Sequence, residues 1–227
     1  MKTKVKQMSP VRKLIVYSLC ILLIVLSIFP FYTMFINATR GTYEIQSNSI
    51  SLLPSTFTIS NWNVLMNKNF NPFIGFANSL TISCCATILA VYFSSLTAYG
   101  LVAYHWKLRK AFFTFIMAVL MIPAQVSIIG FFQFMYKLGL TNNFLPLIIP
   151  AIASPAMVFF MRQYLLATLS IDIVNCARID GSGEFRTFNQ IVLPIMQPAL
   201  ATQAIFTFVG SWNNLFLPLV MLTDRTK

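Results

Sequence analysis

The polar residues of this chain are few, and their types and spacing limit the chemistry they could support. No Gly-x-x-x-x-Gly-Lys-Ser/Thr phosphate loop is present, so the chain has no ATP-hydrolysing site of that kind. The 5 acidic residues and the single histidine, His105, form no paired-acid, histidine-cluster or nucleophile–base arrangement. His105 stands beside Trp106 and Lys107 and reads as an interfacial residue. Cys20, Cys84, Cys85 and Cys176 lack metal-ligand spacing and read as small apolar packing residues. Two groups remain. One is the patterned stretch "NCARIDGSGEFRTFNQIVLP", Asn175–Pro194. The other is a set of amide and indole side chains inside apolar runs: Asn78, Gln125, Gln133, Trp212, Asn213 and Asn214. The chemistry open to both groups is hydrogen bonding, stacking and docking, not bond making.

The elements that must hold these residues follow from composition. The chain has 227 residues, of which 57% are hydrophobic and 9% charged. Its mean hydropathy is +0.74. A soluble domain carries about 25% charged residues, so this chain cannot cover a water-facing surface and must use the bilayer as solvent. Five runs contain no Asp, Glu, Lys, Arg or His: residues 14–36, 73–104, 111–136, 144–161 and 199–222. A helical span needs about 20 residues, whereas a barrel strand needs about half that with alternating polarity. The expectation is an all-α membrane protein, a polytopic bundle of five transmembrane helices forming one domain over residues 1–227. The first run is too long for a signal-peptide core and is expected to remain as a span.

Orientation follows from the 16 Lys and Arg residues. Eleven of them fall in the N-terminal segment and two alternate connections: Lys2, Lys4, Lys6, Arg12, Lys13, Lys107, Arg109, Lys110, Arg162, Arg178 and Arg186. Five fall on the other side, at Arg40, Lys68, Lys137, Arg225 and Lys227. The richer side is expected to be cytoplasmic. This puts the N-terminus and residues 163–198 inside a plasma membrane, the latter as a cytoplasmic loop within the domain. The net charge of +11 is mostly this topological signal, and no basic face exists for nucleic acid. On the outer side, residues 37–72 are too short for a domain and are expected to form a cap, with a short helix from Ser60 to Met66.

Within the inner loop, Ser170 can cap a helix whose first turn holds Asp172. Gly181 can end that helix in a left-handed conformation. A second short helix then opens at Ser182 or Gly183, with Glu184 near its start. Phe185, Phe188 and Ile191 or Val192 recur on one face until Leu193-Pro194 breaks it. Asp180 could accept bonds from free amides at the second helix's start. Two short helices around an Asp-Gly turn make a knob whose apolar face suits a groove on another protein. The spans hold no ionisable residue, as an ion-coupled carrier usually would. If solute moves through this chain, a partner must supply the energy.

The residues of this loop carry a resemblance. Ala177, Asp180, Gly181, Phe188, Ile191, Leu193 and Pro194 match the EAA loop of ABC-importer permeases, whose pattern is Glu-Ala-Ala-x-x-Asp-Gly-Ala followed by Phe, Ile and Leu-Pro. The chain departs from it at Asn175, Cys176 and Ser182. "LLPSTFTISNW", "NSLTIS", "MIPAQVSIIGFFQFMYKLGLTNN" and "FTFVGSWNNLFLPL" resemble, in order, segments of the carbohydrate-uptake, maltose-transporter-like branch. The resemblance implies the type I ABC-importer permease fold. It also implies that Ala177, Asp180, Gly181, Phe185, Phe188, Ile191, Leu193 and Pro194 couple the chain to an ATPase.

Further partners follow from the resemblance: a second permease subunit, two cytoplasmic ATP-binding subunits and an extracytoplasmic solute-binding protein. The implied cargo is a sugar or sugar-like solute, moved into the cytoplasm by alternating access, with no cofactor and no catalytic residue in this chain. Asn78, Gln125, Gln133, Trp212, Asn213 and Asn214 become candidates for a solute pathway, since hydroxyl groups need amide partners and sugar faces stack on aromatic rings. The simpler reading of the amides is interhelical hydrogen bonding. The family has about six spans, so the chain is expected to be truncated after its fifth. Two other functions fit the residues: a permease for another solute, such as an amino acid, phosphate ester or polyamine, and a membrane scaffold or receptor subunit.

Overall fold

A computed structural model describes residues 9–67 and 71–223. It is helical, with no strand among the described residues. Two compact units divide it, Met1–Pro72 and Phe73–Lys227.

The first unit begins with α1, Pro10–Ala38, a helix of 29 residues. Nearly every side chain on it is exposed, as suits an apolar helix solvated by lipid. Two short helices follow, α2 (Thr42–Ser47) and α3 (Thr58–Asn67). The helix expected from Ser60 thus starts two residues earlier. Arg40 ties this cap together. Its guanidinium donates to Asn37 Oδ1 at 3.0 Å and to the carbonyls of Glu44 at 2.6 Å and Asn48 at 2.7 Å. Asn61 Nδ2 donates to the carbonyls of Ala38 and Arg40 at 2.9 and 3.0 Å.

The second unit is built around α4, Pro72–Ala103, 32 residues long. Its buried face is a stripe of small residues: Ser83, Ala86, Ala90, Ser94 and Ala98 recur every three or four positions. Small residues let helix backbones approach closely where lipid offers no hydrophobic drive to associate. The run at 111–136 is not one helix. It divides into α5 (Arg109–Val119) and α6 (Ala124–Lys137), because Pro123 lacks an N–H and disfavours helix in the residue before it. Next come α7 (Leu145–Ile148), a 3₁₀ turn at Ile149–Ile152 around Pro150, and α8 (Pro155–Thr168). Residues 145–168 together are long and apolar enough to cross a membrane, as are α1 and α4. This extends the run at 144–161 and brings Arg162 into the helix, its guanidinium 4.1 Å from the Phe113 ring centroid.

The segment after α8 contains α9 (Ile171–Ile179) and a helix running Glu184–Ile195. The latter comprises α10 (Glu184–Thr187), a π-turn at Phe188–Val192 and α11 (Leu193–Ile195). The chain then bends by 81° into α12, Gln197–Trp212. The last apolar run is interrupted as well: α12 ends at Asn213, and α13 (Phe216–Met221) follows. One core joins α4, α8, α9, the π-turn and α12 through Ala98, Tyr99, Met157, Met161, Leu165, Val174, Phe188, Val192, Met196 and Ala199.

Candidate functional site: the helical knob

The knob turns where the sequence predicts. Gly181 has φ +78°, the left-handed region, and its N–H bonds the Arg178 carbonyl at 3.0 Å. The Ser182 N–H reaches back to the Ala177 carbonyl at 2.9 Å. These two bonds form a Schellman closure and satisfy carbonyls that the helix end would otherwise leave open. Glu184 lies in the first turn of α10 and Arg178 in the last turn of α9, the ends where each charge suits the helix dipole.

Two capping expectations are not met. The Asp180 side chain is exposed and makes no hydrogen bond among the described residues, so it does not cap α10. Thr187 serves the turn instead, its Oγ1 lying 3.0 Å from Ser182 Oγ and 3.2 Å from the Gly183 carbonyl oxygen. Ser170 precedes α9 without a side-chain bond to its backbone, and its Oγ sits 3.4 Å from Asp172 Oδ2.

The apolar residues of the knob point two ways. Phe188, placed on the docking face by its spacing, is fully buried, as is Val192. The Phe188 ring centroid lies 5.7 Å from that of Tyr92 and 5.6 Å from that of Tyr99, both on α4. An i, i+4 pair on a helix must share one face, and here that face is the interior. Ala177 is buried too, while Ile191 and Leu193 are half-buried. Phe185 at 67% exposure and Ile179 at 84% form the outward apolar surface, with Gly181 and Pro194 also exposed. The sequence reading did not single out Ile179.

A second feature escaped sequence reasoning. Arg178 Nε donates to Glu184 Oε1 at 2.6 Å, an ion pair across the Gly181 turn. Tyr99 Oη donates to the other carboxylate oxygen at 2.9 Å, across 85 residues of chain. The Arg178 guanidinium also lies 5.3 Å from the Tyr104 ring centroid. Its Nη1 donates to Asn175 Oδ1 at 3.2 Å. The hydrogen bond from Arg178, helped by those from the tyrosines, holds the Glu184 carboxyl below its ordinary pKa despite partial desolvation. The signal available beforehand was opposite charge six residues apart astride a glycine. The tyrosine partners could not be found without the fold.

The solute-pathway candidates are spread along the second unit. Trp212, half-buried at the end of α12, packs on Phe208 at 5.7 Å and edge-on to Phe76 of α4 at 5.2 Å between centroids. Phe76 is two residues from Asn78, itself half-buried, so the structure brings that end of α4 to Trp212. Asn213 is the C-cap residue of α12 through its backbone, and Asn214 Oδ1 accepts from the Leu217 N–H at 3.3 Å, so both residues mark the helix break. Gln133 is exposed on α6, and the side chain of Gln125 lies outside those described. Nearby, Asn142 adopts φ 57° and its Oδ1 accepts from the Thr223 N–H at 2.6 Å and Oγ1 at 2.9 Å.

A bundle of apolar helices around a core that also holds an internal polar knob defines a class of polytopic membrane subunit. The chain belongs to the family of binding-protein-dependent transport system inner membrane components, whose model matches residues 90–225. It is 38% identical over 202 residues to the arabinooligosaccharides transport system permease protein AraQ of Halalkalibacterium halodurans, covering 88% of this chain and 72% of that one. It is 32% identical over 213 residues to the sn-glycerol-3-phosphate transport system permease protein UgpE of Salmonella typhi, covering 92% and 75%. Among solved structures, a bacterial ABC transporter involved in the import of the acidic polysaccharide alginate matches 97% of this chain and 79% of its own, with TM-score 0.80 at 23% identity. The fold is that of an ABC-importer permease, in agreement with the resemblance carried by the loop.

Proposed function

We propose that this chain is a permease subunit of an ATP-driven importer that carries a sugar-like solute into the cytoplasm. It works by alternating access with a second permease subunit. Two cytoplasmic ATP-binding subunits drive the cycle, and an extracytoplasmic solute-binding protein delivers the cargo. The chain itself is a transporter component and hydrolyses nothing. The N-terminus and the knob at 163–198 lie inside, on the side richer in Lys and Arg.

The observation that carries this reading is the knob. It is a closed helix–turn–helix whose interior face is anchored by Phe188 and whose outer face presents Phe185 and Ile179. A rigid apolar projection of this kind suits a groove on a partner. Gly181, Leu193 and Pro194 shape it, Ala177, Phe188 and Ile191 seat it, and Asp180 stands exposed beside the turn as a candidate contact for the ATPase. The exposed amides and Trp212 at the far end of α12 suit hydroxylated solutes, and Asn78, Gln125 and Gln133 are candidates for the same path.

The names of the relatives favour two solutes, arabinooligosaccharides and glycerol 3-phosphate. Identity is higher to the arabinooligosaccharide permease, 38% against 32%, so we favour the neutral sugar. The test is reconstitution with the ATPase, the second permease and the binding protein, followed by uptake of labelled arabinotriose in competition with glycerol 3-phosphate. ATP-dependent uptake suppressed by unlabelled arabinotriose supports the reading. Suppression by glycerol 3-phosphate alone supports the second solute. Uptake driven by a proton gradient without ATPase would overturn both.

A further inference from the structure

The knob is joined to the spans covalently at two points, neither of them continuous helix. Leu169 and Ser170 link it to α8 in extended conformation, and Met196 links it to α12 through the 81° bend. A third attachment is non-covalent and reaches a helix far away in sequence. Glu184 binds Arg178 of α9 with one oxygen, at 2.6 Å, and Tyr99 of α4 with the other, at 2.9 Å. Beside it, Phe188 packs on Tyr92 and Tyr99, and Tyr92 Oη donates to Asn189 Oδ1 at 3.2 Å. One carboxylate therefore ties both knob helices to α4. Among the described residues it makes the one ion pair of the molecule.

The chemistry suits rigid transmission. A carboxylate accepting from a guanidinium and a phenol at once uses both oxygens in charge-assisted bonds, which are shorter and stronger than neutral ones. Shifting the knob against α4 would break one of them and leave a polar group unpaired beside a packed aromatic cluster. We propose that Glu184, with Tyr99, is the positioning clamp that makes α4 move with the knob, so that motion of a docked ATPase reaches this span. The inference rests on the proposed docking of the knob but concerns a different step, transmission inside the chain.

The experiment uses the complete complex. The four native cysteines are replaced by serine and a reporter is placed by Leu80→Cys, on the exposed side of α4. Its labelling by a maleimide is measured before and after addition of ATP with vanadate. In the parent, ATP should change the labelling rate. Tyr99→Phe, which deletes one oxygen and keeps the ring, and Glu184→Gln should each shrink that change about tenfold, as loss of a charge-assisted bond implies. Both should retain the ATPase subunits at parental stoichiometry. The double variant should be no worse than either single, because the two groups act as one unit. An ATP response of parental size in either variant, additive losses, a parent whose α4 reporter ignores ATP, or loss of the ATPase subunits in the variants would each overturn the clamp. Failure of the parent to hold an ATPase at all would instead overturn the docking reading.

Discussion

Replacing Gly181 by valine tests the turn on which the knob depends. A Cβ built at Gly181 meets nothing within 4 Å, so steric collision with neighbours contributes nothing. The cost is conformational. At φ +78° an L side chain crowds its own carbonyl, and a residue other than glycine loses roughly 1–2 kcal/mol there. That corresponds to a factor of about 5–30 between closed and opened turn. The helices on either side, Ile171–Ile179 and Glu184–Ile195, are both too short to resist on their own. Arg178 and Arg186 flank the turn, so trypsin reads its opening directly. In detergent-purified protein the Gly181→Val chain should be cleaved there about 5–30 times faster than the parent, since cleavage follows the open population when closing is fast. Gly181→Asn is the control, because asparagine tolerates the left-handed region and should stay near the parent. Expression and membrane insertion should not change. A valine variant cleaved at the parental rate would refute the argument, for the turn would then have no need of glycine.

Phe188→Ala should lower the thermal midpoint, since emptying a fully buried phenylalanine site costs about 3–5 kcal/mol; a midpoint unchanged within error would contradict its anchoring role. Phe185→Ala should leave that midpoint alone yet reduce ATPase retention on purification; retention at the parental level would remove the outer face from the docking surface. Glu184 has a depressed pKa, so its contribution is complete above the ordinary carboxyl range near 4.3 and fades only as pH falls through the lower folded value. Tryptic cleavage after Arg178, normalised to a free peptide, should therefore be constant between about pH 6 and about pH 8; acceleration towards the lower value would show that the pair titrates there. In a cysteine-free background, a cysteine at Ser182 should be shielded from an impermeant reagent in intact cells and one at Asn61 labelled; the reverse pattern would invert the proposed topology.

Much of this protein was legible without coordinates. A chain with so little charge must be solvated by lipid, and long uncharged runs in lipid must be helical, because unpaired backbone groups have no water to turn to. The knob was legible for a different reason: it is local. A helix stop, a left-handed glycine and a second helix start are decided within about twenty residues, and Gly181 sits where its neighbours require. Helix breaks inside apolar runs were less visible. Pro123 and the Asn213–Asn214 pair interrupt runs that hydropathy alone reads as continuous, because hydropathy measures solvent preference and not backbone bonding.

What only the tertiary structure decided was which side of each helix faces protein. In water an apolar stripe marks the buried face, but in lipid both faces are apolar and the stripe vanishes. On α4 the inner face proved to be serine and alanine, marked by size rather than hydrophobicity. The same ambiguity put Phe188 on the docking surface in the sequence reading. Spacing showed that Phe188 and Val192 share a face, but only the position of Tyr92 and Tyr99, nearly a hundred residues earlier, turned that face inward. The Glu184 clamp is non-local in the same way. Its two oxygens are satisfied by residues 6 and 85 positions away, and only the shorter separation could be read along the chain.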